Sequence, residues 1–457
     1  MDTGFSLQQV LAVAKAHPLY NSDVEYPPTP KEALQIANDA KNRNDDTIDL
    51  TTIPLATKET LYPTLSRLFS DTNPKNSFRN ASYLSITGGG SGGLPMAFAT
   101  DVFENRNQRA ATGALAKACG LIEPGDVVLT LHTSGGLYRS LDLVTEICET
   151  AGGTVFCGGH KLSMAAVLEI LLQYKPNVIS ADGSQTLHFA NYVSTLPDET
   201  RAKININKVI FTSDPITRDQ RKQISSILGA QVFSIMGSAE AGSWAVANLD
   251  LTGKSDDDGI DFIFDDRMMK IEILPASAMD HLDQAGATVA DGEKGIIVQT
   301  SLSRLRNPLL RYVTGDIGCL RPFPSGKVSS EDEQHLKIVR LYGRDRRFSF
   351  KWFGEYFEFP KVKELLQTSK GWNILQYQIV LSNLENKELQ LELRLYRSST
   401  AQEAASEEEI KESLESFFVV YEVNQHAFKV TFLDGLDGFE RSKTGSKVIN
   451  FVDRSNH

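Results

Sequence analysis

The 457-residue sequence predicts an α/β protein: a large N-terminal domain with a parallel sheet flanked by helices, a small β-barrel-like subdomain, and a smaller, mobile α+β C-terminal domain. Three observations predict it. From Tyr83 to Glu240, apolar strand-like runs alternate with helical stretches, the pattern of a parallel sheet covered on both faces. After Glu240 the helices thin out. Beyond Gly343 the composition shifts again, into a module of roughly a hundred residues, large enough to be a separate domain.

The strands of the first part are "YLSIT", "DVVLTL", "TVFCG", "NVISA", "KVIFT" and "QVFSIM". Helical stretches such as "QRAATGALAKACG", "YRSLDLVTEICETAG" and "SMAAVLEILLQY" separate them. Ligands of parallel sheets bind beyond the carboxyl ends of the strands, which is where the glycines after "YLSIT" are expected. From about residue 250, "IDFIFD", "MKIEILP", "GIIVQTS", "LLRYVTGDIGCL" and "LKIVRLYG" read as mostly antiparallel strands of the barrel-like subdomain. The boundary is set at residues 1–343 and 344–457. In the second part "YQIVLSNLENKELQLELRLY" is a hairpin with "NLEN" as its turn. Ser406 and Glu409 form a capping box, and Ile410, Leu414, Phe417 and Phe418 share one helical face, ahead of a strand "AFKVTFL".

Hydrophobic residues make up 41% of the chain and charged residues 23%, an ordinary globular balance. The net charge of −11 argues against a general affinity for nucleic acid or anionic membranes. Cys119, Cys148, Cys157 and Cys319 form no CxxC pair and are expected to be buried, reduced thiols of a cytoplasmic protein. The N-terminal "MDTGFSLQQVL" lacks the apolar core of a signal peptide, no apolar run reaches membrane-spanning length, and "RSNH" is no targeting tripeptide.

The segment "YLSITGGGSGGLP" has three readings. Bare backbone amides can converge on anionic oxygens, which side chains would obstruct. Gly89-Gly90-Ser91-Gly92-Gly93 also satisfies the GxSxG elbow of a serine hydrolase, with His426 as the candidate triad histidine beside an apolar strand. The third reading is an inert loop. The GK[ST] ending of a P-loop is absent.

Four further pieces accompany the loop in order: "SIMGSAEAG", "LLRYVTGDIG", "GRDRRFSFKWFGEYFEFP" and "ERSKTGSKVINFVD". Together they resemble the adenylate-forming superfamily of acyl-CoA synthetases and peptide-synthetase adenylation domains. Within it the chain looks most like the phenylacetate–CoA ligase branch. "IDLTTIPLATKETL", "FTSDPITRDQRKQI" and "GEKGIIVQTSLSRLRNPLLRYVTGDI" each resemble a segment of that branch.

The resemblance implies activation of a carboxylic acid by ATP as acyl-AMP, then transfer to a thiol, usually coenzyme A. It implies that Thr87, Gly88, Gly89, Gly90, Ser91, Gly92 and Gly93 hold the β- and γ-phosphates, and that Glu240 positions Mg²⁺. Asp316 matches the acceptor of the ribose hydroxyls and Arg344 a second ribose or phosphate contact. Ser213, Asp214, Pro215, Met236, Gly237 and Ser238 match the adenine surroundings. Lys447, six residues before Asp453, matches the catalytic lysine of the C-terminal domain, with Lys443 a neighbouring competitor. His132, Leu137, Tyr138, Ile235 and Ala241 are candidates for the acyl pocket, suiting an aryl or medium-chain acid.

Three departures matter. Leu94 replaces the usual lysine of the phosphate loop, and Met236 the tyrosine that stacks on adenine. The hinge reads Gly343-Arg344-Asp345-Arg346-Arg347 instead of Gly-Arg-x-Asp-Asp, and Gly354 to Pro360 is one residue longer than usual. These keep two alternatives open: an amine or carrier thiol as acceptor, and a weakened nucleotide-binding scaffold.

Overall fold

A computed structural model describes residues 4–42, 50–86, 97–135, 137–213, 216, 218–253, 259–280, 282–283, 286–345, 349–385, 388–397, 405–441 and 448–455. Two compact units divide them, the first running to Arg344 and the second starting at Asp345.

In the first unit, β1 (Ser82–Ile86) and β2 (Ala97–Asp101) form a hairpin, and β3 (Val127–Thr130) opens the main sheet. A two-residue ladder, β4 (Ser134–Gly135) with β5 (Tyr138–Arg139), follows it. Next come β6 (Thr154–Cys157), β7 (Val178–Asp182), β8 (Lys208–Thr212), β9 (Gln231–Ser238) and β10 (Gly242–Ala247). The last are β11 (Ile260–Asp265), β12 (Met269–Leu274), β13 (Gly295–Ser301), β14 (Tyr312–Pro322) and β15 (Leu336–Arg344). Eleven strands make one sheet in the order β12-β13-β14-β15-β11-β10-β9-β8-β7-β3-β6. From β6 to β9 the pairing is parallel, and from β9 to β12 it is antiparallel.

The parallel half follows from the apolar runs. Val128, Val178 and Ile210 pack on one face under Leu115 of the helix Val102–Ala118 and Ile147 of the helix Ser140–Ala151. Leu129, Ile179 and Val209 pack on the other face beneath Val167, Phe189 and Ile224, from three further helices. Burial on both faces is what continuous apolar strands require.

Two expectations are corrected. "YLSIT" is not a strand of the parallel sheet: β1 pairs antiparallel with β2, Ile86 opposite Ala97, in a separate two-stranded ladder. Only Tyr83 of β1 is fully buried and Leu84 is exposed, so the run covers one face, a difference that a short apolar stretch does not reveal. The antiparallel strands after Glu240 extend the parallel sheet at β9 and do not close into a barrel, because β11 pairs with both β10 and β15.

The second unit holds β16 (Ser349–Trp352) and β17 (Glu355–Glu358), joined at Phe353 and Gly354, both left-handed. Two positive-φ residues in a row give the turn whose twist matches the hairpin. It also holds β18 (Ile374–Asn383), β19 (Leu389–Arg397), β20 (Phe428–Leu433) and β21 (Phe451–Asp453), in the order β20-β19-β18-β21. The capping box is present: Ser406 Oγ accepts the Glu409 amide, and the Glu409 carboxylate accepts the Ser406 amide at 2.7 Å. Ile410, Leu414, Phe417 and Phe418 are buried as the spacing predicts. Phe418 is the centre of an aromatic cluster, with Phe357 and Phe417 at 4.9 Å and Phe428 at 5.7 Å between centroids.

Cys119, Cys148 and Cys319 are buried and reduced, burial pushing the Cys119 and Cys148 thiols up to about 12. Cys157 departs from the expectation: β6 is an edge strand and the thiol is exposed. No helix among the described residues is long and apolar enough to cross a membrane.

Removing the Phe418 ring should cost about 3–5 kcal/mol of the second unit's stability, the usual cost of an aromatic core truncation. In Phe418→Ala, hydrogen exchange is expected to accelerate across residues 349–453 while β3, β7 and β8 keep their protection.

Candidate active site

The motif Thr314-Gly315-Asp316 lies inside β14, facing the end of β15. Thr314 Oγ1 donates to the Ile297 carbonyl and accepts the Asp316 amide, both at 3.0 Å, fixing a local kink. Gly315 takes φ 78°, and a Cβ there would lie 3.0 Å from Arg344 Nη1. Glycine is therefore needed twice over, for its left-handed backbone and for the clearance. Asp316 is the register partner of Arg344, with Arg344 Nε 3.3 Å from Asp316 Oδ1. Arg344 also donates to the Thr314 carbonyl. The Asp316 side chain is 16% exposed and that of Arg344 43%, so the carboxylate is recessed and the guanidinium faces outward. Burial raises the Asp316 pKa; Arg344 and the Thr314 hydroxyl oppose the shift and the Glu240 charge adds to it.

Glu240 sits in the tight turn from β9 to β10. Ser238 Oγ accepts the Ala241 amide at 3.0 Å, and Gln108 Nε2 donates to the Ala241 and Ser243 carbonyls at 2.7 and 3.2 Å. Gly242 has φ 72°, and a Cβ there would meet Gln108 Oε1 at 2.5 Å. Tyr312 donates to Glu240 Oε1 at 3.4 Å, and Arg304 donates to the Glu240 carbonyl. The turn is thus held from a helix, a neighbouring strand and a buried arginine.

Ser213 directly follows the last residue of β8, and its φ of 67° is unusual for a residue with a side chain. Glu240, Asp316 and Arg344 are brought together. The acyl-pocket candidates lie in different surroundings. His132 is buried, 3.1 Å from Ser180 Oγ, and burial lowers its pKa to about 4, so the ring is neutral. Ile235 and Ala241 belong to two hydrophobic clusters, while Leu137, just before β5, and Tyr138, on it, are exposed. Met236 is half-buried, Gly237 and Ser238 are exposed, and all three end β9.

Thr87 through Gly93, Leu94, Asp214, Pro215, Arg346, Arg347, Lys443 and Lys447 lie outside the described residues. Their flanks are informative. An antiparallel bridge joins Arg441 to Val448 on either side of the Lys447 segment. The wholly buried Gln378 Nε2 donates to both the Glu440 and Ile449 carbonyls, at 3.0 and 2.7 Å. His426, the hydrolase candidate, is exposed and paired with Glu388 at 2.7 Å.

Among the described residues no group of three His, Cys, Asp or Glu side chains could hold a metal. Mg²⁺ needs no such cage, since it keeps waters and takes one or two carboxylates plus phosphate oxygens. A single carboxylate at Glu240 fits that donor set.

The buried arginines of residues 301–311 escape sequence reading. Arg304, Arg306 and Arg311 are all but wholly buried. Arg306 pairs with Asp101 at 2.8 Å and its amide donates to Glu104 at 3.1 Å; Arg311 grips Glu272 through two nitrogens at 2.9 and 3.1 Å. The available clue was "SLSRLRNPLLR", three arginines with no acid among them, which must find counter-charges elsewhere if the segment is buried.

No protein-family model matches the chain. Its sequence is 24% identical over 181 residues to a phenylacetate–coenzyme A ligase of Thermus thermophilus, covering 38% of this chain and 36% of that one. It is 26% identical over 236 residues to a phenylacetate–coenzyme A ligase of Pseudomonas putida, covering 50% and 47%. The match thus spans less than half the length of these two ligases. An indoleacetate–lysine synthetase of Pseudomonas savastanoi is 25% identical over 348 residues, covering 74% and 75%. A crystal structure of 2-hydroxyisobutyryl-CoA ligase with its acyl-AMP and CoA superposes with a TM-score of 0.63 at 18% identity, over 98% of this chain and 87% of that one. The shared fold is that of this enzyme.

One titration near the site is open to test. Burial, reinforced by Asp101, pushes Glu104 up from 4.5 to about 7, against the Arg306 and Leu305 amides and Arg304. The folded state then binds this proton more tightly than the unfolded chain, so its stabilising contribution is full below 4.5 and lost as pH rises to about 7. Glu104→Gln should abolish that loss, measured as a flatter pH dependence of the denaturation midpoint than in the unaltered protein.

Proposed function

From the chain's place in the adenylate-forming superfamily, we propose that it is an ATP-dependent ligase that activates a carboxylic acid as acyl-AMP and transfers the acyl group to a thiol, most simply coenzyme A. The observation that carries the reading is the register pair Asp316–Arg344 beside Glu240, at the edge of the sheet where β8 and β9 end.

In the first step a carboxylate oxygen bonds to the α-phosphorus of ATP as the bond to the bridging oxygen breaks, releasing pyrophosphate. Asp316, held by Arg344, accepts hydrogen bonds from the ribose hydroxyls. Arg344 faces outward enough to touch a phosphate or ribose as well. The glycines from Gly88 to Gly93 offer amides to the β- and γ-phosphates. Glu240 would hold Mg²⁺, which when bound neutralises polyphosphate charge. Lys447 balances the charge that builds between carboxylate and α-phosphate. In the second step the acceptor attacks the acyl carbonyl carbon, loses its proton, and AMP leaves. His132, Leu137, Tyr138, Ile235 and Ala241 remain the proposed acyl side, with Tyr138 and Leu137 free to meet an aryl or medium-chain acid.

An amine acceptor is the second reading. It is supported by the indoleacetate–lysine synthetase match, which spans three-quarters of both chains, and by Arg346 and Arg347 at the hinge.

Exchange of labelled pyrophosphate into ATP, across aryl and aliphatic acids, tests the first step. Exchange followed by thioester formation with coenzyme A supports the ligase; exchange that consumes acid only with an amine supports the second reading. ATP binding without exchange for any acid would leave only the scaffold. Lys447→Ala should lose exchange by about 10²-fold or more while remaining folded, as expected for a group that stabilises charge in the transition state. Asp316→Asn should weaken ATP binding about tenfold, the scale of one charged hydrogen bond. Because the Asp316 pKa is raised, ATP affinity in the unaltered protein should decline on acidification earlier than for an ordinary carboxylate, a decline absent in the variant.

A further inference from the structure

Tyr83, on β1, is buried, and two guanidinium groups lie over its ring. Arg109 Cζ is 4.7 Å from the ring centroid and Arg139 Cζ 4.4 Å. Arg109 belongs to the helix Val102–Ala118 and is itself buried, whereas Arg139 ends β5 and its side chain is 52% exposed. The negative face of an aromatic ring attracts a guanidinium, more strongly where water is excluded. For Arg109 that attraction matters more, since its Nε and Nη2 are buried without hydrogen-bond partners.

Two like charges at one ring repel, and the helix Ser140–Ala151 offsets them. Asp142 Oδ2 accepts Arg109 Nη1 and Arg139 Nη2, both at 2.9 Å, and Glu146 Oε2 accepts Arg109 Nη1 at 2.6 Å. The two cations are thus matched by two carboxylates one helical turn apart. Tyr83 is gripped by side chains that belong neither to β1 nor to β2.

The contact joins two parts of the candidate site. Three residues after Tyr83, β1 ends at Ile86, and the chain runs on into Thr87 and the glycines proposed to hold the β- and γ-phosphates. Immediately before Arg139 come Leu137 and Tyr138, both exposed and both proposed for the acyl side. The backbone after Arg139 is fastened to the Thr133 carbonyl, which accepts the Ser140 hydroxyl and the Leu141 amide, each at 3.0 Å. Because β5 also touches β1, a displacement of the ladder is felt at Tyr83.

Resting on the ligase reading above, we propose that Tyr83 is a positioning residue that couples the two substrates. An acid seated against Tyr138 steadies the ladder, Arg139 steadies the Tyr83 ring, and β1 enters the glycines in the arrangement that binds ATP. Acid and ATP then favour each other's binding to the same degree, as linkage requires.

The test uses α,β-methylene-ATP, which cannot release pyrophosphate, and an acid that supports pyrophosphate exchange, phenylacetate being the first tried. Calorimetry gives the Kd of the analogue with and without saturating acid. Acid should tighten binding about fivefold in the unaltered protein, the lower end of ordinary coupling. Tyr83→Leu and Arg139→Met should bind the analogue equally well with and without acid, while Tyr83→Phe, which keeps the ring, should retain the response. A merely structural ring would lower the melting temperature when removed and leave the response to acid intact. A response retained by Tyr83→Leu or Arg139→Met, or lost in Tyr83→Phe, would overturn the proposal. Absence of exchange with every acid overturns the ligase reading and this inference with it; a Kd indifferent to acid in a protein that does exchange overturns this inference alone.

Discussion

Three guanidinium groups buried in one connection, residues 301–311, hold the first unit's distant parts in register. Arg306 reaches Asp101, the residue that caps the helix Val102–Ala118, and the Ser77 carbonyl. Arg311 joins Glu272 on β12 to the Ile53 carbonyl. Arg304 meets the turn bearing Glu240. The sheet edge, the N-terminal segment, the β1–β2 hairpin and the candidate site therefore share one set of buried charges. Such pairs add little net stability over apolar packing, yet losing one partner costs about 3–5 kcal/mol. Their effect is to make one arrangement of the polar groups much better than its rivals.

The same logic places the two parts of the candidate site. Glu240 belongs to a strand turn and Asp316 to a kinked strand, and each is steadied by groups remote in sequence. Gln108 clasps the first, and Arg344 the second. The backbone that presents Glu240 and the carboxylate of Asp316 are each held from outside their own strand.

Much of this was legible in the sequence because it is local. The capping box at Ser406 and Glu409, the five parallel strands and the helices between them follow from spacing alone. What was not legible is pairing at a distance. A run such as "YLSIT" does not say whether its neighbour lies ten residues on or in a sheet across the domain, and β1 proved to be the former. Nor does a strand pattern distinguish a barrel from the continuation of an existing sheet. The buried arginines were hidden for a different reason. Arginine is ordinarily solvated, and their acidic partners stand about 200 residues away in the case of Arg306 and Asp101. The Asp316–Arg344 pair was found through family resemblance to two motifs; the strand register then supplied their contact.

The two flanks of residues 442–447 are tied by a single side chain. Gln378 joins the Glu440 and Ile449 carbonyls through one nitrogen, and Phe451 stacks on Phe350 at 5.4 Å a few residues later. Parting those flanks would leave a wholly buried amide without its acceptors, a cost of about 1–3 kcal/mol, so they come apart only when this corner of the second unit unfolds.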